Sequence, residues 1–577
     1  MNTGLITTTE TNTAPAITPP PKAMLSPLAP SSATRINRWL AGVSGGVLAV
    51  ILAINIPVML RMPFDCDVVL YDVFARNMAD GQLLYRDMLD NRPPTMTLIH
   101  AVFRTLFGGS IEALRIFDLL IVGTAITLLA RFTHPGRWDW QLLTGTVLTA
   151  FYCSTNELCH AQGDVWLCTP LLAALTLRRA QLARLISGRS RISITILEGF
   201  IWGCAVWIKP HMMAVAAVVW LTGAAWCWLL GTRLTTLLRD IIPLLIGGLA
   251  CGAIGVAVML KLGIWDLYIA HVRTWVGEYY DADFYRPFGI WVYRLFYLWF
   301  NRPWAIVYLF ALPVAAVQIV TLFRSGKRTS STDDEVASPE HRLLLATALL
   351  AWGIQAWGVQ HMFDYVHLGG VLLAWAYLFQ LVRTQPTTAR CAVLAVFFVG
   401  LAAVTHASVL RDRVLLLSRC VSTPTTELRQ DLNLYHRMNW VALEAVSEFL
   451  QSQNVRQDEV TILADTALPV WLQIGLKQPT RYYLFHNNLL SYQSRRDEIL
   501  GSFAANAKQR FVVIDIRLLR RIPPEGGDWD HPATWPLTSE WRSPRDWESR
   551  IVFRREQYLV VAITGPEVPQ FVNDLVD

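Results

Sequence analysis

From Trp39 to Leu410 the chain alternates long apolar stretches with short, Arg-rich polar connections, and beyond Leu410 that pattern stops. A helix rises 1.5 Å per residue, so about 20 apolar residues cross a hydrocarbon core of about 30 Å. The candidate spans are Trp39–Leu60, Ile111–Ala130, Trp140–Thr155, Gln162–Leu177, Ile194–Ile208, Met212–Leu230, Ile241–Leu260, Trp304–Phe323, Leu343–Val359, Val366–Leu381 and Cys391–Leu410. A further apolar segment, Thr95–Phe107, is short and carries His100 and Arg104, which suits a helix lying in the membrane interface. The pattern predicts a mainly α polytopic membrane protein of about eleven transmembrane helices, with interfacial helices in its first outer loop.

Composition agrees. Charged residues make up 16% of the chain and hydrophobic ones 53%, with mean hydropathy +0.35, whereas soluble domains carry about 25% charged residues. Residues 1–34 are rich in Thr, Pro, Ala and Ser without an apolar run, which reads as a disordered cytoplasmic tail, so the first span stays as an anchor. The nine cysteines sit mostly in apolar stretches without metal-like spacing and read as small core residues. A net charge of +6 spread over short loops suits membrane orientation and gives no nucleic-acid footprint.

Loop charge sets the topology. With Thr95–Phe107 interfacial, the clusters Arg131/Arg137, Arg178 to Arg191, Arg233/Arg239, Arg324/Lys327/Arg328 and Arg383/Arg390 all fall on one side, the cytoplasmic one by the positive-inside rule. The N-terminus is then inside, and the C-terminal segment lies in the periplasm or outside the cell, anchored in the inner (plasma) membrane. The same choice gathers the unusual polar residues outside: the loop from Arg61 to Ser110, Asn156–Asp164, Lys209-Pro210-His211, Lys261–Arg302 and Gln360–His367.

The densest chemistry stands in the first of these loops. It reads Asp65-Cys66-Asp67, then Tyr71, Ala75-Arg76-Asn77, Gly81, Tyr85-Arg86-Asp87 and Asp90-Asn91-Arg92-Pro93-Pro94. This stretch resembles the first lumenal loop of GT-C glycosyltransferases, especially the protein O-mannosyltransferase and lipid A aminoarabinose transferase group. There an acidic residue after the first span precedes a Tyr, a helix ending in Gly, a Tyr-Arg-Asp-like step and a Lys-Pro-Pro. Asp67 stands at the position of the family's catalytic acid, with Asp65 as an open neighbour, and Arg92 replaces the Lys, exchanging a point charge for a bidentate fork. His160-Ala161-Gln162-Gly163-Asp164 is similar to the family's second acidic motif and points to Asp164.

The resemblance implies an inverting transfer of sugar from a polyprenyl-phosphate donor to a lipid, glycan or protein acceptor. Phosphate is already a good leaving group, so the needed carboxylate is a base for the acceptor hydroxyl, the role expected of Asp67, with Asp164 as the second catalytic carboxylate. Fixed cations must meet the developing phosphate charge. Substrate-binding candidates are Tyr71, Arg86, Asp90, Arg92, Lys209, Arg273, Arg286, His361 and Tyr365. The bland readings are a helix cap for each Asp, and snorkelling for Arg92 and Lys209. Paired carboxylates also suit a divalent cation, which the sequence does not require.

After Leu410, helical periodicity at Trp440–Gln451 and β-rich runs at Val460–Ala464, Arg481–Phe485, Arg510–Ile516 and Tyr558–Ile563 predict a small extracytoplasmic α/β domain over 411–577. Without a phosphate loop or nucleophile elbow it reads as an accessory lid or acceptor-binding module. The transmembrane catalytic domain then spans 35–410. A lipid-linked sugar flippase would instead place ionisable groups near the midplane, and a non-catalytic scaffold for envelope assembly would leave Asp67 and Arg92 replaceable.

Overall fold

The computed structural model of the protein describes residues 32–281, 305–325, 338–360, 364–383, 407–433, 437–519 and 547–576. Helices dominate as expected: α1 (Ser32–Arg61), α2 (Cys66–Ala79), α3 (Thr95–Phe107), α4 (Ile111–Thr133), α5 (Trp138–Cys153), α6 (Gly163–Trp166), α7 (Cys168–Ile186), α8 (Ile192–Ile208), α9 (Met212–Leu229) and α10 (Leu234–Lys261). Further helices cover Ala305–Ser325, Pro339–Gly358 and Asp364–Arg383. By length and composition, six described segments can cross a membrane: Arg38–Arg61, Ile111–Thr133, Met212–Leu229, Leu234–Lys261, Ala305–Ser325 and Tyr365–Arg383. The spans expected at Trp140–Thr155, Gln162–Leu177, Ile194–Ile208 and Leu343–Val359 are helices as well, shorter or less apolar. Most of Cys391–Leu410 lies outside the described residues, and a helix runs over Ala407–Ser422.

Helix α3 has 13 residues, about 20 Å of rise, too little for a bilayer core. It buries Met96, Thr97, His100 and Phe103 and exposes Val102, Leu106 and Phe107, the two-faced pattern of an interfacial helix. All eight described cysteines are free thiols.

The C-terminal part is an α/β unit. Its sheet runs in the order β1 (Val460–Ile462), β2 (Phe511–Asp515), β4 (Tyr558–Ala562), β3 (Ile551–Arg555), with β1 and β2 parallel and the other pairs antiparallel. Helix Trp440–Ser452 packs its apolar face on β3 and β4. Two expectations need correction. Arg481–Phe485 is no strand: the Arg481 carbonyl accepts from Leu89 of the first loop at 2.8 Å, and Tyr482 and Tyr483 are both buried rather than alternating. Strand β3 went unread because it is a bulged edge with Val552, Arg554 and Arg555 exposed, leaving a weak apolar alternation.

A further correction concerns Arg178, counted above among the loop cations. It is 1% exposed and ion-paired to Glu198 (2.8 Å) and Asp240 (2.6 Å). Asp240 also accepts from Gln181, Thr195 and Trp220. This network ties α7, α8, α9 and α10 together. Burial is tolerated because the carboxylates offset the cation. Arg178→Ala leaves both carboxylates uncompensated, so the unfolding free energy should fall by about 3–5 kcal/mol. A lower Tm in detergent is the expected reading.

Candidate active site

Five segments distant in sequence meet at one end of the bundle. Helix α2 starts at the acidic Asp65-Cys66-Asp67 step and ends at Asp80, after which Gly81 takes φ +86°, a conformation open to glycine without a Cβ clash. The chain then doubles back through Tyr85, which holds φ +68° at a strain of about 1–2 kcal/mol. That strain is offset by what Tyr85 does: its hydroxyl donates to the Arg92 carbonyl at 2.9 Å, and its ring stacks on His271. Asp90 accepts the Arg92 amide at 3.2 Å. Both contacts fix the loop that carries Arg92.

Arg92 reaches across to Asp67, Nη2 to Oδ2 at 3.1 Å, with its guanidinium 5.3 Å from the Tyr71 ring centre. Burial pushes the Asp67 carboxyl upward, but Arg92 and then Arg437 outweigh it and hold the group below the usual carboxylate range. Asp67 is therefore ionised at neutral pH. Its side chain keeps 16% exposure, enough to meet a solute in the cleft.

Facing this pair is a second one. Lys209 ends α8 and reaches Asp164 at 2.7 Å and Gln360 at 2.8 Å, with its ammonium 5.9 Å from the Tyr365 ring centre. Asp164 Oδ1 is buried and has no hydrogen-bond partner among the described residues. Tyr71, Arg92, Gly163, Asp164, Lys209 and Tyr365 line one narrow cleft, together with Met96, Gln162 and Ile208. Gly163 sits close to its neighbours: a Cβ there would lie 3.2 Å from Ile208 and 3.3 Å from Met96.

Buried polar side chains hold the Asp164 segment. Asp118 of α4 accepts from Tyr152 (2.7 Å) and Trp166 (2.8 Å), and lies 3.8 Å from His160. His160 contacts Thr155, whose carbonyl accepts from Arg413 at 2.9 Å. Asp118 and His160 are thus engaged with protein partners.

The C-terminal domain sits directly on the first loop. Arg76 donates to the carbonyls of Trp471 (2.6 Å) and Leu476 (2.5 Å), and Asn77 donates to the Tyr483 hydroxyl at 2.7 Å. Arg481 and Arg495 bracket the Trp275 ring at 4.7 and 4.2 Å. From this domain Arg437 comes within 3.6 Å of buried Asp65. A larger cavity lies on the opposite side of α2, against Val69, Asp72, Arg104 and Leu472.

The structure therefore brings together Asp67, Tyr71, Arg92, Asp164, Lys209 and Tyr365, with Asp90 behind Arg92. It leaves two candidates apart. Arg86 is exposed and paired with its neighbour Asp87 at 2.8 Å, because the Tyr85 turn points it outward. Arg273 is exposed and does not line the cleft. Arg286 and His361 lie outside the described residues. Sequence reasoning missed Tyr85, although the Tyr-Arg-Asp step marked it, and Arg437, which no local signal marks. A divalent ion at Asp67 and Asp164 stays possible, with no metal site formed among the described residues. Each carboxylate turns an oxygen to its own cation, and among the described residues no three His, Cys, Asp or Glu side chains converge.

No family model and no curated protein matches the chain. Solved structures do. ArnT from Cupriavidus metallidurans bound to undecaprenyl phosphate overlaps 90% of this chain and 98% of its own at 13% identity and TM-score 0.48. The archaeal oligosaccharyltransferase AglB from Archaeoglobus fulgidus, in complex with an inhibitory peptide and a dolichol-phosphate, overlaps 82% of this chain and 69% of its own at 10% identity and TM-score 0.43.

Proposed function

We propose that this chain is an integral membrane glycosyltransferase that moves a sugar from a polyprenyl-phosphate carrier to an acceptor hydroxyl. The observation that carries the reading is the pair of carboxylate–cation couples: Asp164–Lys209 lines one cleft with Tyr71, Tyr365 and Arg92, and Asp67 is ion-paired to that Arg92. The reaction needs these parts. An acceptor oxygen attacks the anomeric carbon, the bond from that carbon to the carrier phosphate breaks, the phosphate leaves with the electron pair, and the hydroxyl proton passes to a carboxylate. Asp67 is ionised and accessible, so it serves as that base. Its depressed affinity for protons suits a late transfer, after charge has left the carbon. Arg92 and Lys209 receive the phosphate charge, Arg92 as a fork and Lys209 as a point. Attack opposite the leaving phosphate gives inversion.

Loop charge supports placing this cleft on the outer face of the inner (plasma) membrane, with residues 1–34 cytoplasmic, 35–410 as the transmembrane catalytic part and 411–577 outside. The acceptor is an envelope lipid, glycan or protein. Membranes containing the protein, given labelled sugars on polyprenyl phosphate, should transfer label to an envelope component. Absence of transfer from every such donor overturns the reading. Lys209→Met should raise the donor KM by about 10-fold to 100-fold, the weight of one charge-assisted hydrogen bond. An unchanged KM removes Lys209 from the phosphate site.

A further inference from the structure

We infer that the C-terminal domain completes the cleft by placing Arg437 against the acidic start of α2, where it acts as a positioning residue that holds Asp65 and Asp67 together as carboxylates. Two acidic side chains two residues apart at one helix start repel each other, and Asp65 is 1% exposed. Arg92 is committed to Asp67. The second compensating charge comes from a part of the chain some 370 positions away in number, Arg437, whose guanidinium lies 3.6 Å from Asp65 Oδ2.

That guanidinium is aimed by the end of the sheet. Arg517 donates to the Arg437 carbonyl at 2.9 Å, and is itself gripped in two places by Asp515, at 3.2 and 3.0 Å, where β2 ends. Thr466 donates to the same Asp515 at 2.8 Å, and beside it Asp465 accepts the backbone amides of His486 and Asn487. The groups facing the acidic step are therefore Arg437, Asp465 and His486 from the domain, Arg92 and Asp90 from the loop, and Lys209 from the end of α8. Burial raises Asp65 above the usual carboxylate range with Arg437 opposing it, and burial lifts Asp465 to about 6. Arg437 is about one-third exposed.

The activity arm of the test rests on the proposed transferase, and the stability arm does not. In transfer assays between pH 4.5 and 8, Arg437→Gln should move the acid limb of kcat/KM upward by about one pH unit, because Asp67 loses a cation and is ionised only at higher pH. Arg437→Lys should return the limb toward wild type. A fall by one factor at every pH, with no moved limb, overturns the inference. Thermal unfolding in detergent needs no activity. Because burial raises Asp65 and Arg437 opposes that rise, Arg437→Gln should lower Tm more at pH 7.5 than at pH 5, since the buried Asp65 needs its partner less as falling pH favours its neutral form. Adding Asp65→Asn to Arg437→Gln should restore most of that loss at pH 7.5. A Tm loss equal at both pH values, or not relieved by Asp65→Asn, also sinks it, whether or not sugar transfer is ever detected.

Discussion

Asp67→Asn should lower sugar transfer by about 10²-fold to 10⁴-fold with little change in donor KM, the usual weight of a positioned general base. The amide keeps the size of the side chain and loses only the capacity to take the acceptor proton. It also removes the anion that faces Arg92, so the cation is freed for the phosphate and donor binding holds or tightens. The measurement is a kinetic split at matched expression, kcat against KM, with labelled donor. Full activity in this variant would move the base elsewhere, and Asp164, with its buried Oδ1 unpartnered among the described residues, is the carboxylate to replace next.

Arg92→Ala should be as damaging by a different route. It removes a phosphate cation, for which losses of about 10²-fold to 10³-fold are typical of fixed electrostatic groups. It also strips Asp67 of its main partner, and the sign of that effect follows directly. Arg92 holds the Asp67 carboxyl below its ordinary value, so removal raises it, and the ionised base is lost as pH falls through the new, higher value. The acid limb of the rate profile should therefore move up by about 1–3 pH units. Arg92→Lys should recover the position of the limb but only part of the rate, since a point charge cannot bridge carboxylate and phosphate as a fork does. Because Asp67 and Arg92 act as a pair, the double variant should lose far less than the product of the two single losses. Independent, multiplying losses would show that the ion pair has no part in turnover.

The helices of this protein, their approximate limits and the interfacial character of α3 follow from the sequence, because the cost of exposing backbone and charge to hydrocarbon forces apolar runs of a set length. Loop charge alone grouped Asp67, Arg92, Asp164, Lys209 and Tyr365 on one face; the last four line one cleft, and Asp67 joins it through its ion pair with Arg92. The pairing of those residues is another matter. Asp67 with Arg92, Asp164 with Lys209 and Asp65 with Arg437 are contacts across 25, 45 and 372 positions, and no local pattern selects among the many cations available. The same reason hid the difference between Arg86, turned outward onto Asp87, and Tyr85, turned inward onto Arg92. One strained φ decides which of two neighbouring side chains faces the site, and that angle is held by packing against His271 rather than by the Tyr-Arg-Asp step itself. Likewise Arg178 reads from sequence as a loop cation. Only the fold brings Glu198 and Asp240 close enough to offset its burial.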